Sequence, residues 1–144
     1  MTSLINPKSL LFLDHPGPIP FAHRGGAGMF PENTLPAFKN AVEMGYKYLE
    51  TDVHSSKDGE VFAFHDESLE RVTGRTGKIS DFAATEISQI EIDGFAKIPT
   101  LIELLELFPK VKINIDPKAD SVVTPLINLL KRTNSESCLY RFFF

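Results

Sequence analysis

An α/β fold of strand–helix units around a parallel sheet is what this sequence predicts, and three observations predict it. Apolar runs of strand length alternate with stretches of helical period in the order β-α-β-β-α-β-α. The strand runs are near-continuously apolar, as expected of strands covered on both faces. Four of them also end in charged or catalytic-type residues. Ile19-Pro20-Phe21-Ala22 leads into His23-Arg24, and Tyr48-Leu49 into Glu50-Thr51-Asp52. Val61-Phe62-Ala63-Phe64 leads into His65-Asp66, and Val111-Lys112-Ile113-Asn114-Ile115 into Asp116-Pro117-Lys118. Parallel strands with such ends build one polar rim, which in a strand–helix barrel is the active face.

The elements follow in order. Residues 1–18 read as a loop-like leader, rich in Pro and polar groups, and 19–144 as the folded portion. The first strand breaks at Gly25-Gly26-Ala27-Gly28, where glycine lets backbone approach a ligand closely. Pro31-Glu32-Asn33-Thr34 opens a helix that Asn33 or Thr34 can cap, with Pro36 in its first turn. Leu35, Phe38, Ala41 and Val42 form its apolar stripe, and Gly45 stops it. The second strand spans about Tyr46 to His54, and Ser56-Lys57-Asp58-Gly59 turns into the third at Val61. Residues 66–98 are the least regular stretch, with a loop at Thr73 to Gly77 and a short helix expected over Asp81 to Ile90. Thr100 and Glu103 have capping-box spacing ahead of Leu101, Leu104, Leu105 and Phe108, and Pro109 ends that helix. After the fourth strand, Asp120 or Ser121 caps a last helix bearing Val122, Val123, Leu126, Leu129 and Leu130. Pro125 is acceptable there only if it lies near the first turn.

Composition narrows the function classes. The 144 residues suffice for a domain with a real core. A net charge of −4 argues against nucleic acid as partner, because backbone-phosphate binding needs a basic face. A few local cations can still hold one small phosphate. Cys138 is the single cysteine, so no internal disulfide forms. Leu10-Leu11-Phe12-Leu13 is far shorter than a membrane span of roughly 20 residues. It is also short for a signal-peptide core, which makes a cytoplasmic protein the expectation.

The rim residues carry the chemistry. Glu50 and Asp52, two apart on a strand, point to one face. Two such carboxylates raise each other's pKa unless a cation neutralises them, and Mg²⁺ or Ca²⁺ takes oxygen ligands. A solvated strand end with ordinary acidic residues has the same spacing. His23 at a strand end can move a proton near neutral pH. Arg24 offers a fork of donors matching phosphate oxygens. A turn with a surface histidine is the plainer reading of that pair. His65 and His23 on one rim supply an acid and a base on opposite sides of a scissile bond. Asp66 either orients a ring nitrogen of His65 or starts the turn. Asp116 and Lys118 again share a face, as third metal ligand and phosphoryl neutraliser, or as part of a β-to-α turn around Pro117. His54 shares the face of Asp52, where it either lies beyond the strand end, the plainer reading, or supports the site. Arg71 and Arg75 border a substrate mouth or sit in a solvated loop.

Taken together, His23-Arg24-Gly25, Pro31-Glu32-Asn33-Thr34, Glu50-Thr51-Asp52-Val53, Asp58-Gly59, His65-Asp66, Pro99-Thr100-Leu101 and Asn114-Ile115-Asp116-Pro117-Lys118 resemble, in that order, the glycerophosphodiester phosphodiesterase family. The resemblance runs from about residue 20 to residue 118. It implies a TIM-type barrel and a divalent cation, Ca²⁺ or Mg²⁺. It also implies hydrolysis of small glycerophosphodiesters to glycerol 3-phosphate and an alcohol. Carried across, Glu50, Asp52 and Asp116 hold the metal, His23 and His65 are general base and acid, and Arg24 and Lys118 grip the phosphate. The family commonly has glutamate where Asp116 stands, one methylene longer.

A complete barrel has about eight strand–helix units and about 250 residues. This chain carries roughly the first half, so the expectation is an N-terminal, truncated barrel portion whose open edges and floor invite self-association. Two alternatives stand beside the phosphodiesterase reading. One is a phospholipase D-like lipid phosphodiesterase on a similar barrel, which should need an exposed apolar lip that the sequence does not clearly show. The other is an inactive fragment that works only when paired with a second half barrel.

Overall fold

The computed structural model describes residues 12–133 and the backbone of Cys138–Tyr140. The first eleven residues of the expected leader and the Phe142-Phe143-Phe144 ending lie outside the described residues. The elements are β1 (Phe21–Ala22), a 3-10 turn (His23–Gly25), α1 (Leu35–Glu43), β2 (Tyr48–Ser55), β3 (Val61–Ala63) and α2 (Glu70–Thr73). A second 3-10 turn (Ile79–Asp81), α3 (Ala84–Ile87), β4 (Glu91–Ile92), β5 (Ala96–Lys97), α4 (Leu101–Leu107), β6 (Lys112–Pro117), α5 (Asp120–Thr133) and β7 (Cys138–Tyr140) follow.

The main sheet runs β1-β2-β6-β7, with every neighbouring pair parallel. This is the strand arrangement of an open segment of a TIM-type barrel, with helices on its outer face. Leu49 and Val53 of β2 and Ile113 and Ile115 of β6 point outward. They pack with Phe38 and Ala41 of α1, Leu101 and Leu104 of α4, and Val122 and Leu126 of α5. Because side chains alternate along a strand, Glu50, Asp52, His54, Asn114 and Asp116 take the opposite, inner face. The register sets Glu50 beside Asn114 and Asp52 beside Asp116. Near the other end of the strands, the Phe12 carbonyl accepts from the Tyr48 hydroxyl (2.7 Å) and from Lys112 Nζ (2.9 Å). The Phe12 and Tyr48 rings meet edge to face.

β3 departs from the expected parallel sheet. It pairs antiparallel with β2 in a hairpin, with Ser55 opposite Val61 and Val53 opposite Ala63. The turn is made by Ser56, whose hydroxyl bonds Asp58, and by Gly59 at φ 87°. A turn this short can only reverse the chain, since a parallel return needs a crossover of about a dozen residues. The chain past β3 therefore comes back alongside Asp52, where the Phe64 N–H bonds the Asp52 carbonyl (2.9 Å), and His65 follows.

Residues 66–98, read from sequence as irregular, form a second small lobe with its own core. Phe62, Phe64, Leu69, Val72, Ile79, Ile87, Ile90, Ile92 and Ile98 pack together there. The helix expected over Asp81 to Ile90 shrinks to α3, and β4 and β5 form a hairpin that was not anticipated. Its signal was present in Asp93-Gly94. Both residues have positive φ, 52° and 62°, and the Phe95 N–H closes the turn on the Ile92 carbonyl at 2.9 Å. That is the primed turn a tight hairpin selects.

Helix ends follow the local chemistry. Thr34 caps α1, and Thr100 and Glu103 form the expected capping box on α4. α5 starts at Asp120, so Pro125 lies beyond the first turn, contrary to expectation. Its missing N–H frees the Ser121 carbonyl, four residues back, from the helix ladder. The Ser55 hydroxyl, at the end of β2, donates to that carbonyl at 3.4 Å.

Candidate active site

The backbone of the β1–α1 loop is bent to serve the rim. Arg24 sits at φ 51° and ψ 35°, a left-handed conformation that side-chain-bearing residues seldom adopt. This turns the Arg24 N–H onto Glu50 Oε2 at 2.9 Å. Gly25 (φ 79°) allows the close approach, since a Cβ there would stand 2.9 Å from the Phe38 ring. The loop is latched by the Asn33 N–H on the Arg24 carbonyl (2.9 Å), and Asn33 itself has φ 54°. The buried Asn33 side chain then spans two neighbours on β2. Its amide donates to Asp52 Oδ2 (3.2 Å), and its oxygen accepts from the Thr51 hydroxyl (3.0 Å).

Glu50, Asp52 and Asp116 converge, each offering a carboxylate oxygen within 4.8 Å of the others. Burial, foremost, holds the Glu50 carboxyl above the ordinary glutamate range. Asp52 and Asp116 push the same way, while the Arg24 N–H and His23 oppose them. Lys118 partly balances the cluster, its Nζ lying 3.2 Å from Asp116 Oδ2 and 3.6 Å from Asp52 Oδ1. A crowded, half-buried set of hard oxygen donors fits a divalent cation of the Ca²⁺ or Mg²⁺ type, which would relieve the repulsion that raises Glu50. Aspartate at 116 reaches the cluster despite its shorter side chain.

The other expected residues lie around these three. His23 Nε2 is 3.9 Å from Glu50 Oε2, on a largely exposed ring. Arg24 Nη1 is held by both oxygens of Glu32 at 3.3 Å. Its buried Nε lies 3.4 Å from Asp52 Oδ2 without hydrogen-bond alignment. Nη2 has no hydrogen-bond partner among the described residues. His65 Nδ1 meets Asp66 Oδ1 at 2.6 Å, so Asp66 does orient a ring nitrogen.

Three participants were undervalued in the sequence. Arg71 is not in a solvated loop but on α2, bonded to Asp66 and Glu32. Glu32 is held below the ordinary range: burial pushes it up, but the hydrogen bonds and charges of Arg71 and Arg24 outweigh this. His54 is buried, which lowers its pKa and favours the neutral ring. Its Nε2 therefore donates to the His65 carbonyl at 3.1 Å, fixing that backbone. Arg75, by contrast, lies over the Phe82 ring, 4.4 Å from its centre.

Oxygen donors suited to a cation, imidazoles and cationic side chains on one β/α-barrel rim define a candidate site for a cation and an anionic ligand. Comparison with known proteins resolves the class further. Residues 23–134 match the glycerophosphoryl diester phosphodiesterase family. A probable glycerophosphodiester phosphodiesterase 2 of Mycobacterium tuberculosis is 35% identical over 127 residues, covering 88% of this chain and 48% of that protein. A human lysophospholipase D is 38% identical over 130 residues, covering 80% of this chain and 41% of that one. Among solved structures, an Oleispira antarctica phosphodiesterase in complex with the product sn-glycerol-3-phosphate superposes with a TM-score of 0.72 at 31% identity. The match covers 78% of this chain and 51% of that one. The chain belongs to the glycerophosphoryl diester phosphodiesterase family. It spans about half the length of the curated relatives it matches.

Proposed function

We propose that this chain carries the catalytic rim of an enzyme that hydrolyses glycerophosphodiesters to glycerol 3-phosphate and an alcohol. The observation that carries the reading is the convergence of Glu50, Asp52 and Asp116 beside His23 and Lys118. In this reading the three carboxylates hold Ca²⁺ or Mg²⁺. The ion, when bound, supplies positive charge against the phosphoryl oxygens. Lys118 and the uncommitted Nη2 edge of Arg24 hold the phosphate. His23 accepts the proton of a substrate glycerol hydroxyl as its oxygen attacks phosphorus. His65, carrying protons on both ring nitrogens with Nδ1–H on Asp66, gives the Nε2 proton to the departing alcohol and is left as the neutral Nδ1–H ring. Water then opens the cyclic phosphate, with the two histidines exchanging roles.

The test is release of glycerol 3-phosphate from glycerophosphocholine by the full chain, with and without EDTA. Activity should disappear with chelator and return with added Ca²⁺ or Mg²⁺. His23→Ala should lower kcat by about 10²–10⁴-fold. Chelator-insensitive turnover, or an unaffected His23→Ala, would sink the mechanism.

A second reading, a lysophospholipid substrate, has one observation in its favour. Exposed apolar side chains on the β1–α1 loop and the β4–β5 turn could serve as the lip that such a substrate needs. Met29 and Phe95 are 76% and 55% exposed, and the Phe30 and Phe95 rings meet at 6.0 Å across two loops. Side-by-side turnover of a lysophospholipid and its deacylated head group separates the two readings. No helix among the described residues is long and apolar enough to cross a membrane. A cytoplasmic site of action and self-association through open sheet edges remain parts of the proposal. Cell fractionation and sedimentation test them.

A further inference from the structure

One guanidinium joins the two lobes of the molecule at the site. On one edge Arg71 grips Asp66, with Nε on Oδ2 at 2.5 Å and Nη2 on Oδ1 at 3.1 Å. On the other it grips Glu32, with Nη2 on Oε1 at 2.6 Å and Nη1 on Oε2 at 3.3 Å. Glu32 belongs to the β1–α1 loop and also receives Arg24 Nη1. Asp66 belongs to the second lobe, next in sequence to His65. Two forks back to back need a planar cation with donors along both edges, which arginine has and lysine lacks.

The consequence falls on His65. Both Asp66 oxygens accept from Arg71, and Oδ1 lies 2.6 Å from His65 Nδ1. The Asp66 carboxyl is held down to about 2, chiefly by its hydrogen bond with Arg71, so near neutral pH it has no proton to give. A carboxylate only accepts, so Nδ1 must donate, and the neutral ring carries its lone pair on Nε2. The His65 carbonyl is held from the other side by His54 Nε2. Backbone and ring are thus fixed by separate partners.

We propose that Arg71 is a positioning residue for His65: by clamping Asp66 it sets the orientation and tautomer of the imidazole, leaving Nε2 as the nitrogen that exchanges a proton with substrate, and through Glu32 it ties that imidazole to the loop carrying Arg24. Exposed ion pairs contribute little stability, and Arg71 is about half exposed. Its main effect is therefore on geometry, with only a small, pH-dependent contribution to folding.

The proposal rests on the reading of His65 as a proton-transfer group, and two readouts keep their failures apart. The first is the ¹⁵N spectrum of the His65 ring in the full chain. The unaltered protein should show the Nδ1–H tautomer, and Arg71→Ala a mixture of the two. The second is kinetics on glycerophosphocholine. Arg71→Ala should lower kcat by about 10–100-fold with KM changed by less than about twofold. Arg71→Lys should restore only part of that loss, while Asp66→Asn should reproduce it and favour the other tautomer. An unchanged His65 tautomer in Arg71→Ala overturns the proposal, whatever the activity. A changed tautomer in a chain that never cleaves the diester upholds the positioning role and removes the functional reading instead. Cooperative melts close to that of the unaltered chain show that the variants are folded, and Arg71→Lys serves as the folded control if Arg71→Ala is not.

Discussion

Arg24 and Gly25 show how much conformational strain a few residues of the rim hold. The left-handed Arg24 brings its N–H to Glu50, and Gly25 removes the Cβ that would strike Phe38. Strain of this kind persists where the surroundings over-determine it, here through the Asn33 latch on the Arg24 carbonyl. Gly25→Ala should lower stability by about 1–3 kcal/mol in chemical denaturation, from backbone strain and the close contact together. A variant as stable as the parent would mean that the loop relaxes freely. The charged network makes a second prediction. Asp66 has its folded pKa depressed to about 2, mainly by the Arg71 hydrogen bond, so its contribution is present above the ordinary aspartate range. It is lost as pH falls from that range toward about 2, because the unfolded chain then binds the proton first. Acid-unfolding curves of Arg71→Ala should accordingly be flatter than those of the parent over that window, and identical curves would contradict this. These residues were legible to different degrees. His23, His65, Asp116 and Lys118 stand at or just past strand ends, and Glu50 and Asp52 alternate on one face of β2, so position alone marks them. Arg71 and Glu32 lie 39 residues apart and carry no local sign that they meet.

Helices and strands obey their own local signals, with exceptions that have physical causes. The Thr100–Glu103 box on α4 was readable because both partners lie within one turn, with the Glu103 N–H on Thr100 Oγ1 and the Thr100 N–H on Glu103 Oε2. Thr100→Ala should cost about 1 kcal/mol, seen as a lower midpoint in urea with unchanged slope. A shift within error would mean that α4 is held by Leu101 and Leu104 alone. The tight turn before β3 is where the sequence places it, but the apolar run of β3 by itself looks the same in a parallel strand and in a hairpin, so the all-parallel expectation fails there. Direction is decided by the length of the turn, and Ser56 to Gly59 is too short for a crossover. Pro125 lies deeper in α5 than its sequence position suggests, and the carbonyl it frees finds a long contact with Ser55 on a different element.

On the scale of the whole molecule, two lobes with separate cores meet at the rim. The barrel segment brings Glu50, Asp52, Asp116, His23 and Lys118, and the smaller lobe brings His65 with Asp66 and Arg71. Cation binding across the β2–β6 pair should raise the melting temperature. A ligand at 100 times its Kd stabilises by about 2.7 kcal/mol, and Asp52→Asn should remove most of that shift. A melt indifferent to Ca²⁺ and Mg²⁺ would leave the three carboxylates without a cation. The sequence by itself determined the order of elements on either side of residues 66–98, the parallel β1-β2-β6 framework and the set of polar groups on the rim. Each of these follows from hydrophobic period, turn chemistry and strand-end position, which act over a few residues. Only the tertiary structure decided that Asn33 locks Asp52. It alone decided that Arg71 bridges the lobes and that the Phe30 and Phe95 rings meet. Those contacts join segments far apart in the chain, and the packing of the second lobe, which no short window of residues encodes, is what brings most of them together.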